Sequence, residues 1–571
     1  MENAQIADIF DEIADLLELQ EANPFRVRSY RNAARTVRGL TDRLADLAGE
    51  DRNLSDLPNV GDSTAGKIRE ILQTGTCKRL EDLRGELPKG LTQVMRVEGM
   101  GPKKAMKLHK ALGIESLDDL QKAVDEGEVR DVEGFGEKTE RKIAKGIRTL
   151  AKTSGRVLYK DAADQVEAFR RHIEGLDSVQ RWRVVGSFRR AKETIGDMDV
   201  LVVAEDRAKA ADDLLGYDAV SNVDSKGKEK VTVHLTGGLQ MDLRFFEPAS
   251  FGAAMLYFTG SKAHNIALRR IAQGKGWKLN EYGLFRGDRR LAGKDEQSVY
   301  ARLNLAWIPP ELREDRGEID AAREGELPTL IEADAIRGDL QSHTTASDGT
   351  NSIREMARAA RDRGYEFFAV TDHSKRVTMA NGLDDDACRE HADAIREVNE
   401  DLDDLWLMAG IEVDILKSGK LDLAEETLAE LDWVVASVHY DRNLGRKQMT
   451  DRIVRAVESG VVHCLGHPLG RIIGRREPIA VDAARIFEAC AEHDVYVEIN
   501  AQPDRLDLPD TYCRDAAQAG VRFTLGTDAH KTADLDFMPF AVNVARRGWL
   551  ERKHVLNTVT AKTLRKRIRR S

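Results

Sequence analysis

Apolar positions near the start of the chain recur every three or four residues, and Ile6, Ile9, Phe10, Ile13, Leu16 and Leu17 share one helix face. The basic stretch RVRSYRNAARTVRGL follows, so the pattern predicts two packed helices with arginines on a solvated face. Three degenerate copies of one pattern come next: LPNVGDSTAGKI, VEGMGPKKAMKL and VEGFGEKTERKI. Each is a glycine-containing turn that opens a basic helix. Farther along, the period changes to two. The stretch VVGSFRRAKETIGDMDVLVV reads as apolar β-runs at 183–185 and 200–203 around a Gly-Ser turn, a basic patch and two aspartates. GLQMDLRFF alternates again and sets Asp242 among apolar neighbours, while FGAAMLYFTGSKAHNIALRRIA reads as a turn opening an amphipathic helix. Residues near 311–335 are charged and lack strong periodicity. From Arg337 onward short β-runs alternate with helices, which predicts an α/β architecture with a parallel sheet or barrel.

Length and charge narrow the picture. A chain of 571 residues should hold several domains. It has no apolar run long enough for a membrane span, and its N-terminus is acidic rather than signal-like. Five scattered cysteines form no CxxC pair, which fits a reducing cytoplasm. The net charge of −10 argues against a nucleic-acid partner, but basic residues cluster at 25–38, 103–110, 138–148 and 562–570, and the local patch outweighs the total.

In a strand, residues two apart share a face, so Asp197 and Asp199 aim both carboxylates at one spot. They repel there unless a hard cation sits between them. Gly186 and Ser187 offer a close backbone approach and a hydroxyl, and Arg190 a guanidinium fork, all suited to phosphate. A bare D-x-D is weak, since acidic pairs at strand ends are mostly solvated surface. G-S-x-x-R followed by D-x-D is much stronger. It resembles the nucleotidyltransferase superfamily, and GSFRRAKETIGDMDVLV is similar to the palm of family X DNA polymerases, the polymerase-beta class. The resemblance implies that Asp197 and Asp199 bind both Mg²⁺ or Mn²⁺ ions and that Asp242 is the third palm carboxylate, the candidate base for the primer 3′-hydroxyl. YFTGS is near-diagnostic of the same family. It implies Tyr257 and Phe258 against the sugar, Gly260 at the turn, Asn265 at the minor-groove edge of the base and Arg269 on the template strand.

The three glycine turns look like helix-hairpin-helix motifs, whose exposed backbone N–H groups bind DNA phosphate without reading sequence. Gly61, Gly99, Gly101, Gly134 and Gly136 are their candidate contacts. The first copy resembles the lyase domain of polymerase beta, and Lys67 falls where that family has its Schiff-base lysine. Asn59 replaces the usual hairpin glycine and Ser63 stands where a second lysine is common, so a plain phosphate contact accounts for Lys67 equally well.

In the C-terminal part, His343, Asp348, Asp372, His373, Glu412, His439, His463, His467, Asp528 and His530 fall at or near the ends of β-runs. Ligands from strand C-termini converging on one face are how barrels build sites, and imidazole with carboxylate suits Zn²⁺, Mn²⁺ or Fe²⁺. The set looks like the polymerase-and-histidinol-phosphatase (PHP) domain, a distorted β/α barrel with a trinuclear centre. The resemblance implies Mn²⁺ or Zn²⁺, up to three ions, on His343, Asp348, His373, Glu412, His439, His467, Asp528 and His530. Gln341 stands where the family often has a first histidine, so one metal is expected to be held more weakly. His463 is read as structural, and Arg471 is expected near the phosphate.

The chain is therefore expected to be multidomain, with a helical lyase-like domain at 1–85, a second helix-hairpin-helix domain at 86–153 and an α+β palm at 154–246. A nascent-base-pair subdomain follows at 247–318, a linker at 319–335 and the PHP domain at 336–571. The expected activity is short-gap filling on gapped or nicked DNA with dNTPs, joined to 3′–5′ exonuclease and abasic-site chemistry. The alternative is a repair nuclease whose polymerase core mainly binds DNA. A cytoplasmic monomer is expected, and the sequence points to no protein partner.

Overall fold

A computed structural model describes the chain apart from residues 1–2, 21, 40–43, 45–47, 49–52, 58, 89, 96, 98–99, 154–155, 237 and 569–571. It separates into one unit of residues 1–154 with 473–477, and another of 155–472 with 478–571.

In the first unit the helical period builds Asn3–Leu19, and the basic stretch builds Pro24–Gly39. Phe10 and Tyr30 meet across the pair with ring centroids 6.1 Å apart, so each helix buries its apolar stripe against the other. The three basic helix starts become Asp62–Thr74, Pro102–Leu112 and Glu137–Thr153. Asn59, in the place of the expected hairpin glycine, takes φ +59°. Asparagine tolerates that left-handed conformation, which explains how the turn survives the replacement.

The second unit begins with a five-stranded sheet in the order Arg181–Val184, Asp197–Val203, Gln240–Phe245, Lys230–Leu235 and Val220–Lys226. Helices Tyr159–Ile173 and Arg207–Leu215 bury Phe169, Ile173 and Leu214 with Val200, Val202 and Leu243 on one sheet face. Helix Phe251–Thr259 packs Phe251 and Ala254 with Leu201 and Val203 on the other. The outermost strand, Val220–Lys226, is almost wholly exposed, and its pairing is interrupted by register shifts.

Beyond helix Lys262–Gly274, a three-stranded antiparallel sheet and helix Glu296–Arg302 complete this half. The segment read as a linker starts inside helix Glu318–Glu324, whose Ile319 and Ala322 join Leu268, Tyr300 and Leu303 in one apolar cluster. Glu318 is fully buried and faces His264 Nδ1 at 2.6 Å, while His264 Nε2 meets the Tyr300 hydroxyl at 2.8 Å. A charged stretch is thus ordered through one buried carboxylate with partners on every side.

The remaining seven strands, from Gly338–Asp339 to Phe523–Gly526, pair in chain order and all parallel. A parallel bridge between Ser342 and Ala529 brings the two outer strands together, so the sheet approaches a closed barrel. The strands are buried on both faces, which matches their unbroken apolar runs.

Candidate active site and metal centre

Parallel pairing of Asp197–Val203 with Gln240–Phe245 sets Asp199 directly opposite Asp242. Alternation turns Asp197 to the same face, so three carboxylates share one side of the sheet. Burial, then the Asp197 charge, pushes Asp199 up to about 6. Burial works to raise Asp242 too, but it receives hydrogen bonds from Lys230 at 2.7 Å and Thr232 at 2.8 Å. With the Arg244 charge added, these bring it below the ordinary aspartate value. Arg244 spans the pair, 2.9 Å from Asp242 and 3.5 Å from Asp199, with its guanidinium 4.5 Å over the Phe258 ring.

Asp197, Asp199, Gly186, Ser187, Arg190, Tyr257, Phe258, Gly260, Asn265 and Arg269 line one cleft of about 510 Å³. Asp242 lies outside that lining. Gly186 has φ +68°, and a Cβ there would stand 3.0 Å from Asp199 Oδ2, so both the turn and the close approach require glycine. Asn265 Nδ2 donates to the Tyr257 carbonyl at 2.7 Å, and Arg269 lies 5.7 Å over the Tyr257 ring. Arg190, expected as a guanidinium fork for phosphate, is partly committed: its Nε donates to Glu314 at 3.0 Å and its Nη1 to the Thr259 carbonyl. Arg156, Lys192 and Lys262 add positive charge to the lining. Sequence reasoning missed all three, although Lys192 sits inside the quoted GSFRRAK. An all-oxygen donor set in which the Asp197 charge outweighs that of Arg244 at Asp199 fits Mg²⁺ or Mn²⁺.

In the barrel, six of the seven strands bring the expected ligands together at their C-terminal ends. Glu412 is central, with His467 Nε2 at 2.9 Å, His373 Nδ1 at 3.1 Å, His439 Nε2 at 3.5 Å and His343 Nε2 at 3.6 Å. His343 Nε2 also meets Asp528 at 3.0 Å, and Asp348 lies 3.4 Å from His530 and 3.6 Å from His373. All of these residues except His467 fall into three overlapping groups, each with ligand atoms within 4.8 Å of one another. Against the lowering effect of burial, Glu412 and Asp414 push His439 up to about 9, and Asp348 and Asp528 push His530 up to about 10. His467 is lowered, first by burial and then by the Arg505 charge. The buried Nδ1 atoms of His343 and His467 make no hydrogen bond. Excess carboxylate charge and idle imidazole nitrogens are the chemistry of a cation site.

Supporting residues surround the ligands, and of these His391, Asp414 and Glu498 escaped the sequence reading. Asp372 accepts from the backbone N–H of Thr344 at 2.9 Å and Ser347 at 3.1 Å, tying down the loop between His343 and Asp348, and His391 Nε2 meets it at 2.8 Å. Asp414, two residues after Glu412 on the same strand, accepts from the His439 N–H at 2.9 Å. That spacing was a readable signal. Gln341 turns its amide nitrogen to buried Glu498, 3.2 Å from Oε2, and the same oxygen accepts from the His467 N–H at 2.6 Å. His463 stacks on Trp433 at 5.3 Å, away from the ligand cluster. Arg471 is a correction: its Nη2 donates to Glu193 at 2.7 Å and the Leu506 carbonyl at 2.6 Å, so the guanidinium reaches the first sheet's loop rather than the metal ligands.

In the first unit, Gly61 and Gly101 cap their helices with no side-chain hydrogen bond, and a Cβ at Gly61, Gly101 or Gly136 would meet nothing, leaving the helix N-termini open. Gly134 takes φ +84° in its turn, and Gly99 lies outside the described residues. Lys67 donates to the Ser63 hydroxyl at 2.8 Å and lies 5.8 Å over the Tyr30 ring, in a cleft it shares with Arg26, Lys78 and Arg79.

Family models match the chain along most of its length. A helix-hairpin-helix domain matches residues 1–77, a SAM-like helix-hairpin-helix tandem 91–149, and the DNA polymerase beta palm 156–247. The DNA polymerase beta thumb matches 254–314, and the PHP domain 339–502. The chain is 34% identical to the DNA polymerase/3′-5′ exonuclease PolX of Bacillus subtilis, with both chains covered in full. A probable phosphatase of Photobacterium profundum, PBPRB2022, is 31% identical over 208 residues, 34% of this chain and 79% of its own. A probable phosphatase of Thermoanaerobacter sp., Teth514_1060, is 26% identical over 39% of this chain and 91% of its own.

Proposed function

The chain belongs to the family X DNA polymerases that carry a PHP domain, and from that premise we propose that it fills short gaps during DNA repair and trims 3′ ends at a second, separate site. The pairing of Asp199 with Asp242 above a cleft lined by every other palm residue named from the sequence carries this reading.

Asp197, Asp199 and Asp242 would hold Mg²⁺ or Mn²⁺, which when bound lowers the pKa of the primer hydroxyl and neutralises triphosphate charge. Gly186 and Ser187 cradle the phosphates, with Arg190 and Lys192 supplying charge. Tyr257 and Phe258 wall the sugar, and Asn265, fixed by its bond to the Tyr257 carbonyl, faces the base. Asp242 takes the hydroxyl proton. In the barrel His343, Asp348, His373, Glu412, His439, His467, Asp528 and His530 would hold up to three Mn²⁺ or Zn²⁺ ions, which supply Lewis acidity for phosphodiester hydrolysis. Gln341, paired with Glu498, orients the strand end beneath His467 instead of adding a donor.

The open helix N-termini at Gly61, Gly101 and Gly136 contact DNA phosphate, so gapped or nicked DNA and dNTPs are the substrates. No helix among the described residues is long and apolar enough to cross a membrane, and we place the working protein in the cytoplasm as a monomer. Abasic-site lyase chemistry at Lys67 is the further activity assigned by position. Borohydride trapping to an abasic site tests it, with Lys67→Ala losing the adduct. The main test is extension and degradation of a one-nucleotide gapped duplex with Mg²⁺ and then Mn²⁺. Absence of gap filling by the wild type would leave a nuclease whose polymerase core only binds DNA.

A further inference from the structure

Two arginines of the C-terminal barrel grip one short loop of the palm. Arg547 ends helix Met538–Arg547 and is only 4% exposed. It donates to the backbone carbonyl of Arg190 at 2.6 Å, to Glu314 Oε1 at 3.2 Å and to Asp510 at 3.0 Å. The same Glu314 oxygen receives the Arg190 Nε at 3.0 Å, so one carboxylate oxygen joins the two guanidinium groups. Three residues farther along, Glu193 is held by Arg471. Between the two grips Ala191 takes φ +51°. Such a conformation is unfavourable for a residue with a Cβ and persists where the surroundings over-determine it. Phe188, just before the loop, stacks on Tyr159 at 5.0 Å, and Tyr159 in turn meets Phe540 of the barrel edge-on at 6.0 Å. The gripped loop is the one that points Arg190 and Lys192 into the nucleotide cleft.

We infer that Arg547 is a positioning residue of the polymerase site: with Glu314 it holds Arg190 in the orientation that meets the incoming triphosphate, so the barrel helps set nucleotide affinity in the palm. The inference rests on the polymerase reading above. A guanidinium already fixed through Nε and Nη1 spends less conformational entropy when its remaining edge takes up phosphate. Without Arg547 the Arg190 carbonyl loses its donor, Glu314 loses a counter-charge, and the left-handed turn at Ala191 is released.

The test uses the full-length chain and measures kcat and the dNTP KM in single-gap filling, with Mn²⁺-dependent 3′ degradation recorded on the same preparations. The variants are Arg547→Met, Arg190→Met, the double change and Arg547→Lys. Arg547→Met is expected to raise the dNTP KM about tenfold, with kcat within about threefold and 3′ degradation kept. The double change is expected to be no worse than Arg190→Met alone, because the two residues act in series. Arg547→Lys, which keeps the charge but not the fork, should fall between. If Arg547→Met fails to fold, Glu314→Gln, which weakens the shared acceptor, should give the same KM rise. An unchanged KM, effects that multiply in the double change, or 3′ degradation falling in step with gap filling would each overturn the inference. A wild type that fills no gap would overturn the polymerase reading with it, whereas a wild type that fills gaps beside an unaltered variant overturns this inference alone.

Discussion

Asp197 and Asp199 line a wide cleft, and Asp199 and its neighbour Asp242 draw positive charge from Arg244 and Lys230, whereas Glu412 is buried among four imidazoles with nitrogen donors left idle around it. Both places gather more carboxylate than protein can comfortably hold. The palm offers only oxygen, in an opening that a charged substrate must enter, which suits cations that arrive and leave with a nucleotide. The barrel mixes oxygen with nitrogen and ties its ligand loops through Asp372 and Asp414, which suits ions that stay. The contrast separates a site charged by its substrate from one charged by its own occupants.

The largest effect that could break this contrast comes from Asp199→Ala. Gap filling should fall by about a thousandfold or more, with Mn²⁺-dependent degradation of 3′ ends within about twofold of wild type. Loss of both activities in a gel assay would mean one site, not two. His439→Ala should do the reverse, lowering degradation by about a hundredfold and reducing the metal that survives dialysis, as counted by elemental analysis. If the palm variant sheds as much retained metal as the barrel variant, the distinction between visiting and resident ions fails. Gly186→Ala sharpens the palm side. The added methyl meets Asp199 Oδ2 at a left-handed residue, and gap-filling kcat/KM should drop about thirtyfold while the thermal midpoint moves little.

The smallest effect concerns charge that no ion is needed to neutralise. Glu296, 4% exposed, is held by Arg189 at 2.8 Å and Arg313 at 2.7 Å. Burial favours its proton, but the two arginines bring its pKa well below the ordinary glutamate value. A lowered folded pKa stabilises at pH values above the unfolded pKa of about 4.3, and this is lost as pH falls through the folded value. Glu296→Gln should therefore cost about 3 kcal/mol near pH 7 and progressively less below about pH 4, read from denaturation of the full chain. A gap between variant and wild type that stays constant with pH would refute the ionised assignment.

Much of this was legible in the chain, and for different reasons in the two halves. Period-two alternation sufficed to place Asp197 and Asp199 on one face, and a glycine at 186 already marked a close approach. Neither could show that Thr232 stands across from Asp242, or that Lys230 reaches it from the same neighbouring strand, because cross-strand partners depend on register. In the barrel the ligands announce themselves at strand ends, yet Glu498 comes from the strand that carries no histidine and became visible only through its contact with Gln341. The segment 311–335 looked solvated because charge usually means solvent, and a buried histidine partner reversed that at Glu318. Arg471 follows the ligand His467 by four residues, but adjacency in sequence says nothing about which neighbour a long side chain will meet.

The exposed outer strand Val220–Lys226 has a consequence for how the molecule behaves in a crowd. An open sheet edge is a template on which a second chain can add a strand. Here that edge carries Asn222, Asp224 and Lys226, and its ladder is broken by register shifts, so it offers neither an apolar face nor an even row of backbone groups to copy. Its polarity works as protection against self-association: the palm can keep an unpaired edge in water without turning high local concentration into aggregate.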